Sequence, residues 1–207
     1  MSVYPPEPWQ LCGQLHLSLF AVPRRLLSVA PPAGTRPVSI LGRHLVGAAW
    51  VVYEPGGVLA YRELLVAVLV REGPRLRVHI CDIRVDHAVA RDGGRALWGI
   101  PKDLARIDIR QDSAGRVDAR AETTHRHLAR ARFMPRLRVP GRWSLAGRIV
   151  QTLDGRPKTS RVRVRTGLRI ASARWEFPLD GSLGPLSGRR RPVVSLSLRD
   201  FRLRFGG

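Results

Sequence analysis

From Leu11 to Leu19 apolar residues occupy every second position, with Leu11, Gly13, Leu15, Leu17 and Leu19 alternating with Cys12, Gln14, His16 and Ser18. A period of two is that of a strand with one buried face, and the pattern stops at Pro23. Strand-like stretches follow over Leu45 to Tyr53, Leu59 to Arg71 and Leu76 to Asp86, separated by Glu54-Pro55-Gly56-Gly57 and Glu72-Gly73-Pro74. Those runs carry turn residues, so neighbouring antiparallel strands are expected. Leu64 to Val70 is apolar throughout, which predicts a strand covered on both faces, central in a sheet or lining a closed barrel.

The pattern then changes. His87 to Leu97 reads as a short helix interrupted at Asp92-Gly93-Gly94, and it delivers the chain to Trp98-Gly99-Ile100-Pro101-Lys102. Strand-like alternation resumes over Leu104 to Arg110, Arg116 to Thr123, His127 to Phe133, Ser144 to Thr152 and Ser160 to Phe177, with Asp154-Gly155 as a hairpin turn. In the last segment Leu196 and Leu198 lie on one phase and Phe201, Leu203 and Phe205 on the other, which predicts a bulge near Arg199-Asp200. No internal repeat or low-complexity segment is present. The expected product is a mainly β (α+β) domain, antiparallel, with few short helices.

At 207 residues and 44% hydrophobic content, one core and a single domain spanning 1–207 are expected. The longest apolar run, Leu64 to Val70, is far short of the roughly 20 residues that cross a bilayer. Met1 to Gln10 is proline-rich rather than basic and then apolar, so neither a membrane span nor a signal peptide is expected. Cys12 and Cys81 are far apart and lack CxxC spacing, which fits a reducing cytoplasm and suggests no disulfide or zinc site. The pairs His125/His127 and His79/Cys81 lack further ligands at a metal spacing, and no metal or cofactor is expected. The formal charge of +20 would by itself suggest a polyanionic partner. Its arginines, however, alternate with apolar residues in Arg161-Val162-Arg163-Val164-Arg165 and Arg202-Leu203-Arg204-Phe205, the period of a strand with one solvated face. Without a base-stacking or base-reading motif, no specific nucleic-acid binding is expected.

Of the 36 basic residues only Lys102 and Lys158 are lysines. Arginine cannot lose its proton near neutral pH and lysine can, so a lysine kept in so arginine-rich a chain is a candidate amine nucleophile. Lys158 follows the turn-like Asp154-Gly155-Arg156-Pro157 and reads as an ordinary surface residue. Lys102 is the candidate.

Gly94-Arg95-Ala96-Leu97-Trp98-Gly99-Ile100-Pro101-Lys102-Asp103-Leu104-Ala105 resembles the signature segment of the acetoacetate decarboxylase family. There a Gly-Arg pair precedes a Pro-Lys whose lysine forms a Schiff base. Weaker likeness extends through Pro8-Trp9, Val22-Pro23, Ala60-Tyr61-Arg62-Glu63, Asp154-Gly155-Arg156-Pro157, Trp175 and the strand ending near Phe205. The resemblance implies a cone-like antiparallel β-barrel, a homo-oligomer, Lys102 as nucleophile and Glu63 as general acid/base. It also implies substrate contacts from Gln14, Arg95, Trp98 and Ile100. The expected reaction is decarboxylation of a small β-keto acid. Aldol, dehydration or cyclisation chemistry on a pyruvate-like α-keto acid is the alternative, and a non-catalytic member binding a small ligand is the other.

An amine must be neutral to attack a carbonyl, and at an ordinary pKa of about 10.4 only about one lysine in 2,500 is neutral at pH 7. Desolvation is expected to supply the needed shift, with Trp98, Ile100, Pro101 and Leu104 as the apolar neighbours of Lys102. Four positions depart from the family pattern. Asp103 replaces a second lysine; in extended backbone its side chain should point away from that of Lys102. Gln14 stands where acetoacetate-decarboxylating members carry an arginine, and Ala48 where they carry another glutamate. Ala96 also replaces an acidic residue, which would leave Arg95 without its usual partner.

Overall fold

The computed structural model describes residues 4–27, 29–179, 184 and 191–207. The alternating segments form strands β1 (Trp9–Pro23), β2 (Arg36–Pro37), β3 (Ser39–Ile40), β4 (Arg43–Tyr53), β5 (Tyr61–Glu72) and β6 (Arg75–Val85). One helix, α1 (Ala88–Trp98), follows. Then come β7 (Lys102–Leu104), β8 (Arg106–Gln111), β9 (Val117–Glu122), β10 (His127–Leu153), β11 (Arg156–Glu176) and β12 (Val194–Phe205).

All twelve strands belong to one sheet, whose main path runs β7-β6-β5-β4-β1-β12-β11-β10-β9-β8. The path returns on itself where Val78 of β6 bridges Ile149 of β10. Gln151 Nε2 donates to the Ile80 carbonyl at 3.1 Å across the same seam. The arrangement is not antiparallel throughout, as the sequence suggested: β6 pairs in parallel with both β7 and β10. For β7 the reason is the crossover through α1, which brings the chain back in its original direction.

Two hydrophobic clusters lie on opposite faces of the long strands. Val46, Trp50, Leu64, Val66, Phe133 and Trp175 belong to the first, whereas Trp9, Tyr61, Ala67, Ile83, Trp98 and Ile100 belong to the second, with α1 packed against it. β5 contributes alternate residues to each cluster. Its run from Leu64 to Val70 therefore contains no polar position, because both faces are covered.

The bulge near Arg199-Asp200 is present. Leu15 pairs with Leu198 and Gly13 with Phe201, so Gln14 alone on β1 faces Arg199 and Asp200 on β12, and Asp200 adopts φ 49°. The segments expected as separate strands over 127–133 and 144–152 are one 27-residue strand, β10. Register shifts at Pro135/Leu137 and Val139/Trp143 let it pass Pro135, Pro140 and Gly141 without ending.

The helix also corrects the sequence reading, because Gly93 and Gly94 do not interrupt it. A β-carbon on Gly93 would lie 2.5 Å from the Trp9 ring, and one on Gly94 would lie 2.7 Å from Lys102 Cδ. The glycines lower helix propensity but permit close packing on two sides. The helix ends at Gly99, whose φ of 65° is the left-handed conformation common after a last turn.

Candidate active site

Lys102 opens the three-residue edge strand β7, in register with Ile83 of β6. Alternation turns its side chain inward while Asp103 faces outward. Two hydrogen bonds to backbone carbonyls fix the segment: the Lys102 amide donates to the Ile100 carbonyl at 2.7 Å, and Arg95 Nε donates to the Lys102 carbonyl at 2.6 Å. The aliphatic stem then passes Gly94, whose missing side chain provides the space.

At the end of that stem, Lys102 Nζ donates to Glu63 Oε2 at 2.8 Å and to the Tyr61 hydroxyl at 3.0 Å. The Tyr53 hydroxyl donates to Glu63 Oε1 at 3.4 Å. Lys102 is 4% exposed, Glu63 3% and Tyr61 5%, so an amine and a carboxylate meet with almost no water between them. The register explains the assembly. Tyr61 and Glu63 are two residues apart on β5 and share a face, and Tyr53 of β4 lies directly opposite Tyr61, with ring centroids 4.4 Å apart. Burial first, and then the Glu63 carboxylate, push the Tyr53 and Tyr61 phenols well above their ordinary pKa. Both phenols therefore keep their protons at physiological pH and remain available as donors.

Asp103 does not face Lys102. Its carboxylate lies 2.9 Å from Arg84 and 3.7 Å from Arg95, and it accepts from the Leu104 amide at 2.9 Å. The Leu104 amide, followed by the charges of Arg84 and Arg95, holds its pKa below the usual carboxylate value. Arg95 thus has partners despite Ala96: its guanidinium donates to the Lys102 carbonyl and lies 3.7 Å from the Asp103 carboxylate. Arg62 pairs with Asp86, leaving Glu63 to Lys102.

The other sequence candidates fall at varying places. Ile100 is 3% exposed and supplies the carbonyl that anchors Lys102. Trp98 is 2% exposed, packs edge-on against Trp9 and Phe205 at 4.9 and 4.5 Å, and donates to Glu7 at 2.7 Å. Leu104 is 40% exposed and does not cover Lys102. Gln14 shares the register row of Val52 and Arg62, one position off the Glu63 row, and donates to Glu54 at 3.0 Å. Ala48 lies in the first cluster, away from the lysine.

Sequence reasoning missed Tyr53, Tyr61 and Gly94 as parts of the site. Tyr61 could have been found from its i−2 spacing to Glu63, whereas Tyr53 required the cross-strand register. Among the described residues no group of three or more His, Cys, Asp or Glu is placed to hold a metal ion, and no helix is long and apolar enough to cross a membrane.

A family model described as acetoacetate decarboxylase matches residues 23–175. No curated protein matches. Solved structures do. The enduracididine biosynthesis enzyme MppR complexed with pyruvate superposes with a TM-score of 0.71 at 19% identity, covering 99% of this chain and 90% of that one. Acetoacetate decarboxylase from Legionella pneumophila subsp. pneumophila str. Philadelphia 1 gives 0.73 at 16% identity, covering 100% and 88%. An acetoacetate decarboxylase-like enzyme from Sphingomonas wittichii RW1 gives 0.67 at 14% identity, covering 98% and 92%. At these identities the likeness is one of fold.

Proposed function

The chain belongs to the acetoacetate decarboxylase family, and on that premise we propose that it is an enzyme whose Lys102 forms a Schiff base with a small keto acid. The observation that carries this reading is the buried contact of Lys102 Nζ with Glu63 and Tyr61 at 2.8 and 3.0 Å.

The lysine starts as a buried ion pair with Glu63. Moving one proton from Nζ to the carboxylate converts that pair into a neutral amine beside a neutral acid, with no net change of charge in the site. The amine lone pair adds to the ketone carbon, the carbonyl π pair moves to oxygen, and that oxygen takes a proton from the attacking nitrogen to give a neutral carbinolamine. Glu63 returns its proton to the hydroxyl of the carbinolamine, which leaves as water and gives a protonated imine. The Tyr61 hydroxyl is placed to orient Nζ and to donate to the carbinolamine oxygen.

With a β-keto acid, the bond to the carboxylate breaks and its electron pair flows into the imine, releasing carbon dioxide and leaving an enamine. Protonation at carbon and hydrolysis by water then free the ketone and Lys102. With a pyruvate-like α-keto acid, loss of a methyl proton gives the enamine, which adds to an aldehyde carbonyl. This second reading is favoured by MppR, which is similar in fold and was solved with pyruvate and with the condensation product of pyruvate and imidazole 4-carboxaldehyde.

A panel of β-keto acids assayed for carbon dioxide, run beside pyruvate with small aldehydes assayed for condensation, tests the proposal. Turnover in either arm that disappears in Lys102→Met supports it. Ligand binding without turnover in any arm points instead to a non-catalytic member.

We also propose self-association. Leu137, Ile170, Leu196 and Leu17 form one register row across four strands, with Leu137 62% and Ile170 39% exposed. Burial of such an apolar row is the expected use of it, and sedimentation of the full chain would measure the assembly.

A further inference from the structure

Six arginines stand on one exposed face of β10, β11 and β12. Arg161, Arg163 and Arg165 alternate with Val162 and Val164 on β11, so all three project to the same side. Arg163 lies directly opposite Arg204, and Arg165 directly opposite Arg202, while Arg161 faces Arg148 on β10. Each of the six is solvent-exposed. Paired strands are about 4.8 Å apart and alternate residues of one strand about 6.7 Å apart. Arg163, Arg165, Arg202 and Arg204 therefore form a compact two-by-two grid of positive charge.

Like charges directly opposed across a sheet are unfavourable. Elsewhere the chain relieves its arginines: Arg62, Arg84 and Arg130 are paired with Asp86, Asp103 and Asp118. Among the described residues none of the six arginines on this face forms an ion pair. The grid also lines a cavity of about 450 Å³, completed by Gln10, Cys12, Gly56 and Ser144 and by apolar residues that include Leu11 and Leu145, with no acidic residue in its wall. This concavity is separate from the lysine site. By strand alternation Arg202 projects opposite to its neighbour Phe201, and it is Phe201 that packs on Tyr53, at 5.9 Å.

We propose that this cavity binds a compact anion carrying several negative charges, of the oligophosphate class. One carboxylate would neutralise one of four guanidinium groups. A chain of two or three phosphates spans a grid of this size, and each guanidinium fork can hold two phosphate oxygens. No aromatic side chain lines the cavity, so the anion rather than an attached base is what the site recognises.

Calorimetric titration of the full chain with inorganic triphosphate tests this. One site is expected, and the double substitution Arg165→Ser/Arg202→Ser should weaken it by roughly tenfold or more, the loss of two charge-assisted contacts. Because that double variant also removes an opposed pair of like charges, its Tm without ligand should not fall. Arg43→Ser/Arg126→Ser, which removes the same charge from exposed positions off this face, should leave binding within about twofold. Lys102→Met should bind triphosphate as the parent does, which separates this inference from the Schiff-base reading. No binding of triphosphate overturns the proposal, as does equal weakening in both double variants, which would mark a general charge effect. Far tighter binding of a single-stranded oligonucleotide than of triphosphate, insensitive to Arg165→Ser/Arg202→Ser, would overturn it in favour of a distributed polyanion surface.

Discussion

Gly94 lies so close to Lys102 that a β-carbon on it would sit 2.7 Å from the lysine Cδ and 2.9 Å from Cε. A helical glycine thus sets the path of the Lys102 side chain. Gly94→Ala should leave the protein folded, since alanine favours a helix interior, but should displace the Lys102 stem and cut keto-acid turnover by roughly tenfold or more. Gly93→Ala, which meets the Trp9 ring instead, should lower stability by about 1 to 3 kcal/mol through overpacking. Steady-state rates beside melting temperatures for the two variants check this; equal rates in parent and Gly94→Ala would contradict it.

The partners of Nζ should have separable effects. Tyr61→Phe keeps the ring and removes the hydroxyl 3.0 Å from Nζ, but leaves Glu63 to balance the ammonium, so it should cost about 1 to 3 kcal/mol of stability while the rate falls roughly 10-fold or more. Glu63→Gln strands a buried ammonium and should cost about 3 to 5 kcal/mol of stability as well as activity. Denaturant melts and kinetics on both variants distinguish the two roles.

Asp103 should be nearly silent in the chemistry. Its carboxylate is more than half exposed and turned to Arg84 and Arg95. Asp103→Asn should change turnover by less than about threefold and stability by no more than about 1 kcal/mol. A tenfold change in rate would mean that its charge reaches Lys102.

Away from the site, His16 is 2% exposed, with Nδ1 2.9 Å from Ser197 Oγ. Burial, and then Arg199, push its pKa down from 6.5 to about 4. The folded state therefore favours the neutral ring. Its contribution is complete above the unfolded value of 6.5 and is lost progressively as pH falls toward 4, to a maximum of about 3 kcal/mol. The difference in melting temperature between the parent and His16→Gln should shrink or invert over that interval, and a difference constant with pH would refute the assignment.

The strands were legible where one face or both are buried: the alternation from Leu11 and the apolar run at Leu64 to Val70 predict β1 and β5 directly. What alternation could not supply was tertiary. Gly93-Gly94 reads as a break because glycine is a poor helix former, and only the approach of Trp9 and Lys102 explains it. The alternation predicts two strands, His127 to Phe133 and Ser144 to Thr152, yet bulges carry β10 through Pro135 and Pro140 between them. At the site, the scarcity of lysine and the family resemblance point to Lys102 and Glu63, and the structure brings the two together. Tyr53 stayed hidden because its proximity depends on which residue of β5 it opposes, and register is not written in either strand alone. The outward turn of Asp103, by contrast, followed from strand alternation.

The central claim is a covalent one, that Lys102 and not Lys158 is the amine that condenses with a keto acid. Lys158 lies at the surface, 3.4 Å from Glu7, and serves as the internal control. Borohydride reduction of the protein with acetoacetate or pyruvate, followed by peptide mass mapping, should place the reduced adduct on the peptide containing Lys102 alone. An adduct confined to Lys158, or none on Lys102 with any keto acid that the protein turns over, would contradict the account.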